Sequence, residues 1–311
     1  MFPPIETFAT GHLPVTDGQT IYWEASGNPD GRPAVYLHGG PGGGLRAGYR
    51  RWFDPAVFKI ISFEQRGAGR SRPHISESMG DLETNTTPAL ISDIEALRTH
   101  LGVERWLVTG VSWGTTLALA YAQAHRERVT GIVLSAITTT TRREVDWITE
   151  AMGELCPKEW DKFADAGKAF PGARMIERYH AAITYPDIAV RTQAAKDWCE
   201  WEDVHMGFDP KFGPISGFVD PVFRQNFATL VIHYWKNSAF LGEDQLLKGM
   251  RLLAGVPGVM LHGRLDVSSP LRTAWQLHKA WPESELIVIP DEGHGGEKMM
   301  AEMSRAISRL G

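Results

Sequence analysis

No run of lysine and arginine stands out in this 311-residue chain, and 37 acidic side chains against 32 basic ones leave a formal net charge of −5. That balance argues against nucleic acid or an anionic membrane as the main partner. Long apolar runs are missing too: no segment reaches the roughly 18 apolar residues that a membrane span needs. The first residues, MFPPIETFATGH, lack a basic stretch followed by an apolar one, so no secretory signal is expected and the expected compartment is the cytoplasm. Cysteine is nearly absent. Cys156 and Cys199 could pair, but two free buried thiols are the expected state, and neither has metal-ligand spacing. Internal repeats and low-complexity segments are also lacking. What remains, with 43% hydrophobic residues, is a globular composition large enough to bury a substantial core. Tryptophan is in excess: there are 11, several of them in the middle third.

The first 135 residues alternate strand and helix signals. TIYWEAS (20–26) reads as a strand, GNPDGRP as a turn, and AVYLHGG as a buried strand running into glycines. FKIISFEQRG (58–67) is a further strand entering a Gly-rich loop. TPALISDIEALRTHLG (87–102) places Leu90, Ile94, Leu97 and Leu101 on one helical face, and Gly102 stops it. RWLVTG (105–110), the helix TTLALAYAQAHRERV and the strand TGIVLSA (130–136) follow. Such alternation predicts an α/β fold with a mostly parallel sheet covered on both faces. From Thr138 to Leu247 the pattern is helical and Trp-rich, broken by the turn-heavy FDPKFGPISGFVDP (208–221). Strands resume at PGVMLHGRLD (257–266) and ELIVIPDEGH (285–294). The expected organisation is a core domain over 1–137 and 248–311, interrupted by a helical cap over 138–247.

Gly110-Val111-Ser112-Trp113-Gly114 is a G-x-S-x-G turn between a strand and an Ala/Leu helix. The glycines suit a turn too tight for side chains, which lifts the serine hydroxyl above the strand ends at a helix N-terminus. A serine hydroxyl needs a base to become a nucleophile. Of 11 histidines, His100, His125 and His278 sit in or at the ends of helical segments and read as structural or surface residues. His294 directly follows a strand, in PDEGHGG, and Asp266 ends another, in VMLHGRLD. Serine, aspartate and histidine in that order, each at a strand end, form the expected catalytic set Ser112, Asp266 and His294. The competing role for Asp266 is an N-cap before SPLRTAWQLHKAW. HGGPGGG (38–44) follows a strand and lets backbone N–H groups approach a ligand, so Gly40 and Trp113 are the expected oxyanion donors. No Gly-Lys-Ser/Thr follows, which excludes a phosphate loop.

HGGPGGG, ISFEQRGAGRSRPH, GVSWGTTLALAYAQAHRERV, GRLDVSSP and AWQLHKAWPESELIVIPDEGH resemble the proline iminopeptidases, peptidase family S33 of the α/β-hydrolases, over residues 6–310. The resemblance implies an α/β-hydrolase fold and metal-independent, cofactor-free removal of an N-terminal residue, usually proline, from a peptide or amide. It implies that acidic residues of the cap hold the substrate's free amino group. One of them lies in a Trp-x-x-Trp-Glu motif, kept here as Trp198, Trp201 and Glu202, and the His-Tyr pair of the same region is kept as His233 and Tyr234. Three positions depart from the family. Val231 stands where a second amine-binding glutamate is expected, Ser269 replaces a pocket cysteine, and Thr138 replaces an aromatic. One ion pair at about 4 Å is worth on the order of 4 kcal/mol at an effective dielectric of about 20. Loss of one carboxylate therefore weakens amine binding unless Glu200, Asp203 or another acid substitutes. The expected partner is a small peptide or amino-acid amide with a free amino terminus, acted on by a monomer or homo-oligomer. The alternatives are an esterase or general amidase with a repurposed cap, and a non-catalytic binding protein on the same fold.

Overall fold

The structure, a computed structural model, describes residues 1–210 and 213–311. Strands β1 (Thr7–Pro14), β2 (Thr20–Gly27), β3 (Arg32–Leu37) and β4 (Phe58–Phe63) precede helix α1 (Thr87–His100). Strand β5 (Trp106–Val111), helix α2 (Trp113–Ala124) and strand β6 (Val129–Ser135) follow. Helices α3 (Arg142–Thr149), α4 (Pro157–Gly167), α5 (Met175–Ile183), α6 (Ile188–Met206), α7 (Pro221–Lys236) and α8 (Gln245–Lys248) come before the sheet resumes. Strand β7 (Gly258–Gly263), helix α9 (Arg272–Ala280), strand β8 (Ser284–Ile289) and helix α10 (Glu297–Leu310) complete the chain. The eight strands form one sheet in the order β1-β2-β4-β3-β5-β6-β7-β8. It is parallel from β4 to β8, while β2 runs antiparallel to both β1 and β4.

The central strands are apolar on both faces because helices cover both. Leu117, Leu119, Leu90, Ile94 and Leu97 pack on one side against Val35, Leu37 and Val108. On the other side Met299, Met303 and Ile307 of α10 meet Ala34, Leu107, Val133 and Val259. Local signals set the helix ends. The Thr86 hydroxyl accepts the Ala89 N–H at the start of α1, and the chain turns away at Gly102, whose φ is +64°. Asp187 and Asp220 cap α6 and α7, and Thr141 with Glu144 forms a capping box on α3.

Helices α3 to α7 build a hydrophobic cluster of their own, which includes Val145, Phe163, Trp198, Trp201 and Val231. Its centre is aromatic: Phe163 stacks on Tyr179 at 4.4 Å and on Trp201 at 5.1 Å, with Trp198 edge-on. The tryptophan excess therefore builds the packing of this helical layer. In the turn-heavy stretch 208–221 a short helical turn spans Ser216–Val219, and residues 211 and 212 lie outside the described residues.

The structure differs from the sequence expectation in two respects. The sequence pattern predicts no strand over 7–14, yet β1 forms there as an edge strand with alternate residues half-buried; Gly11 and Pro14 weaken its apolar pattern. Strands β7 and β8 also end earlier than expected, so Asp266 and His294 sit in loops beyond Gly263 and Ile289. Cys156 and Cys199 are buried and unpaired, and burial pushes both thiols up from their ordinary pKa.

Candidate active site

Ser112 sits between β5 and α2 with φ +56° and ψ −126°, a conformation that costs an ordinary residue on the order of 1–3 kcal/mol. Its flanking glycines make the turn possible. A Cβ on Gly110 would lie 2.3 Å from the Gly114 carbonyl oxygen, and one on Gly114 would lie 2.1 Å from that of Leu37. The backbone is held by Ser112 N–H donating to Ser135 O at 3.0 Å and Thr115 N–H donating to Ser112 O at 2.7 Å. The hydroxyl consequently projects from the strand end at the positive end of α2.

The loop after β8 brings His294 Nε2 to 2.9 Å from Ser112 Oγ, and His294 Nδ1 lies 2.9 Å from Asp266 Oδ2. Asp266 Oδ1 accepts the Ser269 N–H at 2.9 Å, so both carboxylate oxygens are occupied; α9 begins later, at Arg272, and Asp266 does not cap it. Burial alone would push the His294 imidazole down. The Asp266 carboxylate against Nδ1, aided by the nearby Glu202 charge, more than offsets this and holds His294 above its ordinary pKa. Burial likewise raises the Asp266 carboxyl, but the His294 and His262 rings and the Ser269 N–H outweigh it and hold the group below its usual range. His262, fully buried, lies 2.6 Å from Ser269 O through Nε2 and accepts the Ile137 N–H at Nδ1, so it supports the Asp266 loop as a neutral ring. With Asp266 fixing Nδ1–H, the Nε2 lone pair faces the serine hydroxyl and can take its proton.

The HGGPGGG loop comes closest to Ser112 at Gly39, where an added Cβ would sit 3.3 Å from Ser112 Cβ. Gly40 follows with φ +115°, a value that needs glycine. Neither the Gly40 nor the Trp113 amide donates a hydrogen bond among the described residues. Gln65, quoted in the sequence only as part of a motif, ties the loop to the turn. Its backbone N–H donates to His38 Nε2 and its side-chain amide to His38 O, both at 3.0 Å, while its Oε1 accepts the Trp113 indole N–H at 2.8 Å. His38, neutralised by burial, donates from Nδ1 to Gly39 O at 2.9 Å. No sequence pattern singled out this buried relay.

Ser112 opens onto a cavity of about 1030 Å³ between the sheet and the helical layer. Glu202 lines it from α6, 5% exposed, with Oε1 accepting the Trp198 indole N–H at 3.1 Å. Thr138 and Ser269 line it too, as do Val145, Ile148, Phe223, Phe227 and Trp235, which give it an apolar wall. Other expected binding residues lie elsewhere. Trp201 is buried inside the helical layer against Phe163, and its neighbour in the motif, Glu202, is the one that reaches the cavity. His233 and Tyr234 do not line the cavity: His233 Nε2 lies 3.0 Å from Asn85 O, and Tyr234 Oη donates to Asn85 Oδ1 at 2.7 Å. They fasten α7 to the loop before α1, because the inward face of α7 meets the core there. Val231 is fully buried in the helical cluster. Glu200 pairs with Lys162 on the surface, and Asp203 accepts the Ile215 N–H, so neither stands in for a second carboxylate. Among the described residues no group of three or more His, Cys, Asp or Glu side chains is arranged to hold a metal ion, and no helix is long and apolar enough to cross a membrane.

Comparison with known proteins identifies the family. The α/β-hydrolase fold family matches residues 33–296. A probable proline iminopeptidase of Streptomyces coelicolor is 42% identical over 97% of this chain and 96% of its own length. The proline iminopeptidase of Xanthomonas citri is 44% identical over 94% of this chain and 93% of its own. Among solved structures, a proline iminopeptidase from Mycobacterium smegmatis superposes with a TM-score of 0.65 at 21% identity, covering 97% of this chain and 98% of that one. A putative aryl esterase from Burkholderia cenocepacia gives the same TM-score of 0.65 at 14% identity, over 97% and 99% of the two chains, which is likeness of fold alone. Sequence, sheet order and relatives agree that this chain belongs to the proline iminopeptidase family of α/β-hydrolases.

Proposed function

We propose that the chain is a serine hydrolase that removes an N-terminal amino acid, with Ser112, His294 and Asp266 as its catalytic residues. Ser112 Oγ attacks the carbonyl carbon of the first residue while its proton passes to His294 Nε2. The amides of Gly40 and Trp113 receive the oxyanion of the tetrahedral intermediate. Collapse breaks the C–N bond, His294 returns the proton to the leaving amine, and an aminoacyl ester remains on Ser112. Water, activated by the same imidazole, then releases the free amino acid.

The observation that carries this reading is a single cavity that holds both Ser112 and the buried carboxylate of Glu202, which faces no lysine or arginine among the described residues. A substrate ammonium would pair with this carboxylate, which has only the Trp198 indole N–H and the His205 ring, 3.2 Å away, beside it, and that selects for a free amino terminus. The wall formed by Val145, Ile148, Phe223, Phe227 and Trp235 suits an apolar first side chain, proline included. A cytoplasmic location belongs to the same reading, and two buried unpaired thiols fit it.

A specific observation favours a second reading. Val231, Ser269 and Thr138 each stand in place of a residue expected to narrow specificity, which would leave an esterase or amidase with wider acceptance. A hydrolysis panel separates the two. Proline, alanine and phenylalanine p-nitroanilides are compared with their N-acetylated forms and with p-nitrophenyl acetate. The aminopeptidase reading expects at least a tenfold preference for the free amine. Equal rates on free and acetylated anilides, with faster ester cleavage, would replace it by the second.

A further inference from the structure

The cavity that holds Ser112 extends well beyond Glu202, into a second lobe on the face of the sheet that α10 covers. Val111 leads into it, and Tyr36, Tyr49, Trp52, Met299 and Met300 line it. A leaving group departs on this side. His294 hands its proton to the leaving nitrogen, and the residues that follow His294 into α10, Gly295 to Met300, line the cavity here. Tyr36 lies three residues before Gly39, where the glycine loop comes nearest to Ser112. Its ring is fixed by stacking on Tyr49 at 4.6 Å and by Trp52, edge-on at 5.4 Å. The side chain is 8% exposed, yet its hydroxyl has no hydrogen-bond partner among the described residues. Burial pushes the hydroxyl up from its ordinary pKa, so it stays a donor, and the Arg46 charge partly opposes that shift. Arg46 precedes the helical turn Ala47–Trp52, lines the cavity, and makes no ion pair among the described residues. The neighbouring charges are engaged. Lys298 pairs with Asp291 at 2.5 Å, Arg51 Nε donates to Phe2 O at 3.0 Å, and Glu292 accepts the Lys298 and Met299 N–H groups, each at 2.8 Å. Glu297, exposed at the start of α10, is the one acid of the lobe outside these pairs among the described residues.

A guanidinium and a phenol, both donors and both without a partner, form a recognition pair for an anion, and a buried donor left unmet is costly. We infer that this lobe is the leaving-group site and takes a residue ending in a free carboxylate, received by the Arg46 guanidinium and the Tyr36 hydroxyl. The substrate is then a short peptide, not the amino terminus of a long chain, whose next peptide bond would bring a neutral group to the same place. The cavity carries the Glu202 carboxylate from the helical layer and the Arg46 guanidinium from the α10 side, which matches the two charges of a zwitterionic peptide. Tyr49, Trp52 and the two thioethers give the leaving residue an apolar wall, and methionine adapts to side chains of different shape. The inference rests on the aminopeptidase reading for the direction in which the substrate lies, and its test separates the two.

The test measures proline released at neutral pH from Pro-Phe, from Pro-Phe amide, whose end imitates a continuing chain, and from proline p-nitroanilide. All three leave the same prolyl ester on Ser112, so differences in kcat/KM report the leaving half alone. The amine of the amide is the less basic and so the better leaving group, and a preference for the acid has to come from binding. Wild type should favour Pro-Phe over its amide by about tenfold, the low end for hydrogen bonds to a charged group because Arg46 is exposed. Arg46→Gln and Tyr36→Phe should each lower that ratio by about three- to tenfold, mainly through KM. Arg46→Glu should reverse it, so that the amide is cleaved faster than the acid. A wild-type ratio near one, or variants that slow all three substrates alike and leave the ratio unchanged, would overturn the carboxylate site. If wild type releases proline from the p-nitroanilide but treats Pro-Phe and its amide alike, only this inference fails. If it cleaves p-nitrophenyl acetate and releases proline from none of the three, the aminopeptidase reading fails and this inference fails with it.

Discussion

Replacing Asp266 by asparagine changes one atom and tests the buried relay where it is least tolerant. Asp266 accepts two N–H groups, from Ser269 at Oδ1 and from His294 at Oδ2, each at 2.9 Å. An amide has one accepting oxygen. If that oxygen keeps the Ser269 N–H, the amide NH₂ faces His294 Nδ1 and drives the ring proton to Nε2, where it blocks transfer from Ser112. If it turns to His294, a buried backbone N–H loses its partner, at a cost of about 1–3 kcal/mol. The negative charge is lost in either case. With the charges about 4 Å apart at an effective dielectric of about 20, an imidazolium opposite Asp266 loses on the order of 4 kcal/mol, or about a thousandfold in rate. The tautomer penalty adds to this, so kcat should fall by about 10³- to 10⁵-fold, in line with the same exchange in other serine hydrolases. The assay is kcat on p-nitrophenyl acetate, normalised to active sites titrated with a fluorophosphonate, together with the pH profile. Without the carboxylate, the burial that pushes His294 down is opposed only by the Glu202 charge. The acid limb should therefore move to lower pH. Asp266→Asn activity within tenfold of wild type, with an unmoved acid limb, would refute the relay.

Three further outcomes follow from the same geometry. In the wild type His294 must be neutral to act as base, and its pKa is raised, so kcat/KM on an amine-free ester should fall as pH drops through a value above about 6.5; a flat profile from pH 5 to about 8 would contradict it. Gln65→Leu severs the ties between Trp113 and the glycine loop, and should lower kcat about 10- to 100-fold with little change in KM, less than the loss of a whole oxyanion donor. Tyr234→Phe leaves Asn85 Oδ1 without its donor and should cost about 1–3 kcal/mol in thermal or urea unfolding, while the preference for free-amine over N-acetylated substrate stays within twofold of wild type (~2).

The residues that sequence reasoning found are those whose chemistry is tied to local backbone. Gly110 and Gly114 flag the turn because no side chain fits there, and Asp266 and His294 follow apolar strands in polar loops, a pattern visible along the chain. Strand β1 escaped because an edge strand needs only half of its residues apolar, and Gly11 and Pro14 break even that alternation. Gln65 acts through partners distant in sequence, His38 and Trp113, and no spacing announces such contacts. The His-Tyr pair shows the opposite failure. His233 and Tyr234 match a family pattern beside the expected amine site, yet one helical face separates them from the cavity and presents them to Asn85. Periodicity places a residue on a helix; only packing decides what that face meets.

The central claim is that Ser112 carries the substrate's first residue as an ester. Its most direct test is intact and peptide mass measurement after acid quench during turnover of proline p-nitroanilide. The account predicts a prolyl adduct on the peptide containing Ser112 in the wild type, and neither adduct nor turnover in Ser112→Ala. A folded Ser112→Ala protein that still releases nitroaniline at the wild-type rate would contradict it.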